Sequence, residues 1–96
     1  MINIGRYSFD GPYANSGSLQ NRSGVYVILS TSNHVVDVGE SATVKDRIDN
    51  HDRKPCWQRH SGSRVAVLYT PNRQQSGRML IEQELRRQFS PPCGKR

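Results

Sequence analysis

The clearest hydrophobic run in the chain is Val25-Tyr26-Val27-Ile28-Leu29, and Thr31-Ser32-Asn33 breaks it before a second run begins at Val35. Short runs of β-branched, aromatic and aliphatic residues bounded by turn formers read as strands, so residues 25–29 and 35–39 predict a hairpin. Alternation along the second strand places Val36 and Val38 on one face and Val35, Asp37 and Gly39 on the other. The period then changes. Val44 and Ile48 stand four apart, with Arg47 and His51 on the adjacent stripe. That spacing predicts a helix over about 44–52, with Thr43 able to cap it and Asp46 in its first turn. Pro55 marks its end. Residues 52–64 read as a polar, basic loop around Trp57, and residues 65–69 as a third strand. A second helix is expected over 73–89, where Ile81, Leu85 and Phe89 recur every fourth position before Pro91-Pro92 stops it.

Residues 1–23 are rich in Gly, Ser and Asn. They offer one short strand at 6–9 and a turn at Asp10-Gly11-Pro12, and so read as an arm packed on a domain formed by residues 24–96. The predicted class is α+β: a small three-stranded, largely antiparallel sheet flanked by helices. A chain of 96 residues has room for one core. No apolar run approaches the roughly 20 residues that span a bilayer. The N-terminus also lacks a basic stretch followed by an apolar one, so no membrane contact and a cytoplasmic location are expected.

Charge adds a partner to this picture. Fourteen Lys and Arg against eight Asp and Glu leave +6, a field that attracts polyanions such as nucleic acid. In the 53–60 segment Arg53, Lys54 and Arg59 offer phosphate contacts and Trp57 a stacking ring, although Trp57 serves equally well as a packing anchor over the end of the first helix. Cys56 and Cys93 are too few for a disulfide framework and are expected to stay thiols in a reducing compartment. With His51 and His60 they raise the question of zinc, but their spacing matches no compact zinc pattern.

Phosphodiester hydrolysis needs an aligned nucleophile, compensation for charge on the phosphoryl oxygens and stabilisation of the departing oxygen. Arg47 suits the phosphoryl group because its planar fork stays charged and donates two bonds; the plain alternative is a solvated arginine paired with Asp46 or another nearby acid. Glu82 lies within the arc flanked by Leu85 and Phe89, whereas Glu84 turns to solvent. A carboxylate at an apolar margin needs a partner. That partner is a metal ion or an arginine of its own helix, Arg78 or Arg86. Tyr26 accepts a proton only if a neighbouring cation lowers a phenol pKa that is otherwise near 10, and it could instead be a strand tyrosine with its ring in the core. His51 could orient the nucleophile or lie exposed at a helix end.

Gly24-Val25-Tyr26 followed by Val36-Asp37-Val38-Gly39 resembles the paired motifs that name the GIY-YIG nucleases. Arg47, eight positions after Gly39, with His51 one turn later, is similar to that family's first helix and its catalytic arginine. Ile81-Glu82-x-x-Leu85, with Pro91 nine residues after Glu82, resembles its second helix and metal-binding glutamate. The resemblance implies a DNA endonuclease that leaves a 5′-phosphate and a 3′-hydroxyl, using Mg²⁺ or Mn²⁺ held by Glu82. Strand parity and the helix stripes predict that Tyr26, Asp37, Arg47 and Glu82 line one cleft on one side of the sheet, and a homodimer, a separate partner or low specificity is expected. Two positions depart from the pattern. Asp37 stands where the family usually has tyrosine, and Gly94 where asparagine often follows the terminal proline. One reading is a nucleic-acid-binding module with weak or lost catalysis. The other moves the proton-accepting role from Tyr26 at least partly to the Asp37 carboxylate.

Overall fold

The computed structural model of the chain describes residues 1–94. Its elements in order are β1 (Ile2–Ile4), β2 (Tyr7–Tyr13), a 3-10 turn (Ser16–Ser18), β3 (Gly24–Ser30), β4 (Val35–Ser41), α1 (Val44–Asp49), α2 (Lys54–Arg59), β5 (Gly62–Tyr69) and α3 (Gln75–Phe89). The strands lie in the order β1-β2-β5-β3-β4, every neighbouring pair antiparallel. The class is α+β, but the sheet has five strands rather than three. The additional two come from the Gly- and Asn-rich N-terminal segment. Its Gly11-Pro12 break is tolerated because β1 pairs with the first half of β2 and β5 with the second, leaving no stretch flanked on both sides.

Central strand β3 is buried along its whole length. On one face Val25, Val27 and Leu29 join Val38 and Ala66 beneath Ile81 and Leu85 of α3. On the other, Tyr26, Ile28, Val65 and Val67 pack against Val44, Ile48 and Trp57 of α1 and α2. The simple alternation expected along β4 fails at one residue. Ile28 faces Asp37 while Leu29 faces Val35, so Val36 is an extra, bulged residue. Val36 therefore joins the Tyr26 face and Val38 the α3 face, while Asp37 and Gly39 stand opposite Ile28 and Tyr26. Being at the edge, β4 has backbone groups to cover. Cys93 N–H donates to the Val36 carbonyl at 3.1 Å, and the Arg86 guanidinium donates to that of Val38.

The expected basic loop contains a helix, α2, with Pro55 in its first turn, where a missing N–H leaves no bond unmade. Helix α1 stops at Asp49, and Thr43 holds its cap position without a side-chain cap bond. The preceding segment does that work: the Arg22 carbonyl accepts Val44 N–H, and Asn21 Oδ1 accepts Asp46 N–H. Among the described residues no helix is long and apolar enough to cross a membrane.

The cysteines are also not the thiols expected. Cys56 of α2 and Cys93 of the C-terminal tail form a disulfide, their Cα atoms 5.9 Å apart. A separation of 37 residues hides this pair from any local pattern. In the chain-entropy account such a loop contributes about 4 kcal/mol. Reduction in the presence of a chelator should therefore lower the urea unfolding free energy by about that amount, and an unmoved midpoint would show that the bridge adds nothing.

Candidate active site

Strand β3 sets the Tyr26 ring in the interior, directly across from Gly39 of β4. A Cβ on Gly39 would lie 2.2 Å from the phenol oxygen, so the glycine of the second motif is what makes room for the tyrosine of the first. The Tyr26 hydroxyl is 2.7 Å from His51 Nε2. His51 follows α1 and is buried, not exposed at a helix end, with its ring between Tyr26 and Trp57. Its Nδ1 accepts Arg53 N–H at 3.0 Å. An imidazole nitrogen that accepts carries no proton, so Nε2 bears the hydrogen and donates it to the tyrosine oxygen.

Burial, reinforced by Arg47 and Arg53, pushes the His51 pKa down to about 4. The imidazole is neutral at physiological pH, and its 3.4 Å approach to Asp52 is not an ion pair. A histidine in the unfolded chain protonates near pH 6.5. Between those two values the unfolded state holds the extra proton. Stability from this group is therefore complete above about pH 6.5 and falls toward pH 4, by as much as about 3 kcal/mol. Urea unfolding from pH 7.5 to 4 should show this slope in the parent and a flatter one in His51→Gln. An equally steep slope in the variant would place the acid lability elsewhere.

The Tyr26 phenol is pushed up to about 12, chiefly by burial; Arg47 and Arg53 pull it down, Asp37 and Glu82 push it further up. Arg47 does act in the direction expected of a neighbouring cation, and burial outweighs it. Four charges drawn from β4, α1, the turn after it and α3 thus act on one hydroxyl.

Asp37 is fully buried. Its Oδ2 accepts from Arg53 Nε at 2.7 Å and Trp57 Nε1 at 2.8 Å, and its Oδ1 from Arg86 Nη2 at 2.9 Å and Val38 N–H at 2.8 Å. Neither oxygen is open to water. The expectation that Asp37 accepts a proton from the nucleophile is corrected to that of an anchor, because every direction of approach already holds a donor. The expected strand-binding surface changes with it. Trp57 is 6% exposed and has no face for a base, and Arg53 points inward to Asp37. Lys54 Nζ donates to the Asp49 carbonyl, and Arg59 stays on the outside of α2.

Arg86 is the residue that sequence reasoning undervalued, having offered it only as a partner for Glu82. It also holds Asp37 and donates to the carbonyls of Cys93 and Gly94, both at 3.3 Å. Gly94 has φ +78°, and a Cβ there would lie 2.7 Å from the Arg86 guanidinium and 3.0 Å from Asp37 Oδ1. The two departures from the family pattern, Asp37 and Gly94, are therefore neighbours in one structural unit. No local pattern in the sequence signals the pairing of Arg86 with Asp37, which joins residues 49 apart.

Arg47 projects from α1, 39% exposed, and pairs with exposed Asp52 at 3.2 Å. Such a surface pair is worth at most about 1 kcal/mol, so a phosphate can displace it. Asp46, the other candidate partner, is bonded to Asn21. Glu82 is mostly buried, with Arg86 Nε 3.8 Å away, and Arg78 pairs instead with Glu40. Glu84 turns outward to Arg6 and Tyr7. Glu82 lines an open cleft with Met79, Gln83, Arg86 and Arg87. The cleft offers one carboxylate, a ligand type that hard divalent cations take, beside two arginines, Arg86 and Arg87.

An antiparallel sheet with a tyrosine on its central strand, a glycine across from it, and an arginine and a glutamate on flanking helices defines a GIY-YIG-like fold. The chain is similar to the GIY-YIG N-terminal endonuclease domain of UvrC from Thermotoga maritima. Two point mutants of that domain, bound to its catalytic divalent cation, match with TM-score 0.67 at 12% identity over 84% of this chain and 91% of that one. The magnesium-bound domain matches with TM-score 0.63 at 11% identity, over 79% and 86%. No protein-family model matches the sequence, and no curated protein does.

Proposed function

We propose that this chain is a metal-dependent DNA endonuclease that cuts to a 5′-phosphate and a 3′-hydroxyl. The observation that carries this reading is the buried Tyr26 hydroxyl, held at 2.7 Å by His51 and set across from Gly39, in a fold shared with an endonuclease domain. Glu82 would hold Mg²⁺ or Mn²⁺ with water completing the shell. When bound there, such a cation would supply positive charge to offset the charge that builds on the phosphate. Arg47 leaves Asp52 to make a two-bond contact with the phosphate. Tyr26, its oxygen fixed by His51, takes the proton of the attacking water, which requires added positive charge nearby to bring down a phenol near 12. Asp37 is a positioning residue: it holds Arg53, Trp57 and Arg86 as the wall of the site. DNA as substrate fits the +6 charge and a cytoplasmic location, with a second copy or a separate partner supplying specificity.

The test is nicking of supercoiled plasmid with Mg²⁺ and with EDTA. Magnesium-dependent conversion to open circles that DNA ligase reseals is the expected result, since ligase needs both end groups. One observation favours a second reading: the motif tyrosine is replaced by Asp37, whose oxygens are all engaged within the protein. If nicking fails while salt-sensitive DNA binding persists in EDTA, the chain is a binding module. Failure of both removes nucleic acid as its partner.

A further inference from the structure

Outside this site, among the described residues, three metal-ligating side chains converge: Cys56, His60 and Cys93, with ligand atoms all within 4.8 Å of one another. Cys56 and His60 stand four apart, one turn along α2 and its C-cap, so they share a face. Cys93 comes to them from the tail. His51, the fourth residue weighed for zinc from the sequence, is not part of this group, since Tyr26 and Arg53 occupy its two nitrogens. We propose that in its reduced form the chain binds a thiophilic divalent cation, Zn²⁺, through Cys56, Cys93 and His60.

The chemistry of the donors supports that class of ion. Two thiolates and an imidazole suit zinc and exclude magnesium, which keeps this site separate from Glu82. In a tetrahedral zinc site with bonds of about 2.0–2.3 Å, donor atoms stand roughly 3.5 Å apart. Closure asks the two sulfurs to move apart once their bond is reduced and His60 to come in by at most about 1 Å, and His60 is exposed at the end of its helix. His60 also lines a cleft with His34, Val36, Ser61 and Pro92. Water would complete the tetrahedral shell.

The balance is simple. A dithiol reductant passes two electrons and two protons to the Cys56–Cys93 bridge and itself becomes a disulfide. The two thiols then release their protons to solvent as the cation binds. Disulfide and cation join the same two pieces of chain. Helix α2 carries Trp57 and follows Arg53, while the tail's Cys93 donates to Val36 and accepts from Arg86. All three side chains that hold Asp37 are thus attached to segments that the clamp ties together. In a reducing compartment the cation takes over the bridge's part.

Cobalt(II) is the probe, added to the full chain reduced by a phosphine. Thiolate-to-cobalt charge-transfer and tetrahedral d–d bands should saturate at one equivalent, be displaced by Zn²⁺, and be absent from the oxidised chain. Zn²⁺ should raise the Tm of the reduced chain alone. His60→Ala, at an exposed position, should weaken binding by at least an order of magnitude, and Glu82→Gln should leave it unchanged. A reduced parent without these bands overturns the proposal. So does a His60→Ala chain that binds cobalt as tightly as the parent, or bands that survive Cys56→Ser with Cys93→Ser.

Discussion

Glu82→Ala should reduce magnesium-dependent nicking to background, and Arg47→Ala should slow it by on the order of 1000-fold, the scale of a group that neutralises charge on a phosphoryl transition state. Neither change should cost much stability. Arg47 gives up only an exposed pair with Asp52, and Arg86, which approaches Glu82, keeps Asp37 and three carbonyls. The measurement is the single-turnover nicking rate beside the urea midpoint of each variant. The two variants fail for different reasons. Excess Mn²⁺ should not rescue Arg47→Ala, whereas Glu82→Asp, which retains a carboxylate, should recover part of the rate. If Glu82→Ala cuts as fast as the parent, the activity belongs to another protein or to another site, and the metal assignment falls.

Asp37→Asn should destabilise the fold by about 3 kcal/mol, the lower part of the range for removing one partner from a buried ionic cluster. The lower part applies because Arg53 and Arg86 remain 30% and 21% exposed, so water recovers part of the loss. An amide of nearly the same shape would also turn N–H groups toward guanidinium donors. Combining Asp37→Asn with Arg86→Gln should cost less than the sum of the single changes, since both dismantle one cluster. A proton-accepting Asp37 predicts the opposite pairing of results: lost activity with an unchanged unfolding midpoint. An unmoved midpoint in Asp37→Asn would therefore restore the role that the buried geometry removes.

Much of this protein follows from local pattern. The run at 25–29, the break at 31–33 and the four-residue spacings of Val44 with Ile48 and of Ile81 with Leu85 place β3, β4, α1 and α3, because periodicity is set by backbone geometry within each segment. The same periodicity told Glu82 from Glu84. Short elements with weak patterns were not legible: β1 and β2 amid Gly and Asn, and the six-residue α2 behind Pro55. Their stability comes from the sheet and core they join. The bulge at Val36, the inward turn of Trp57 and Arg53, the reach of Arg86 to Asp37 and the meeting of Cys56 with Cys93 were decided only in three dimensions. Each depends on contacts between segments far apart in the chain. By itself, then, the sequence determined roughly which elements bear the candidate side chains. The tertiary structure decided which of those side chains remain open to a substrate and which are consumed in holding one another, because solvent exposure and pairing belong to the packed molecule and not to any one segment.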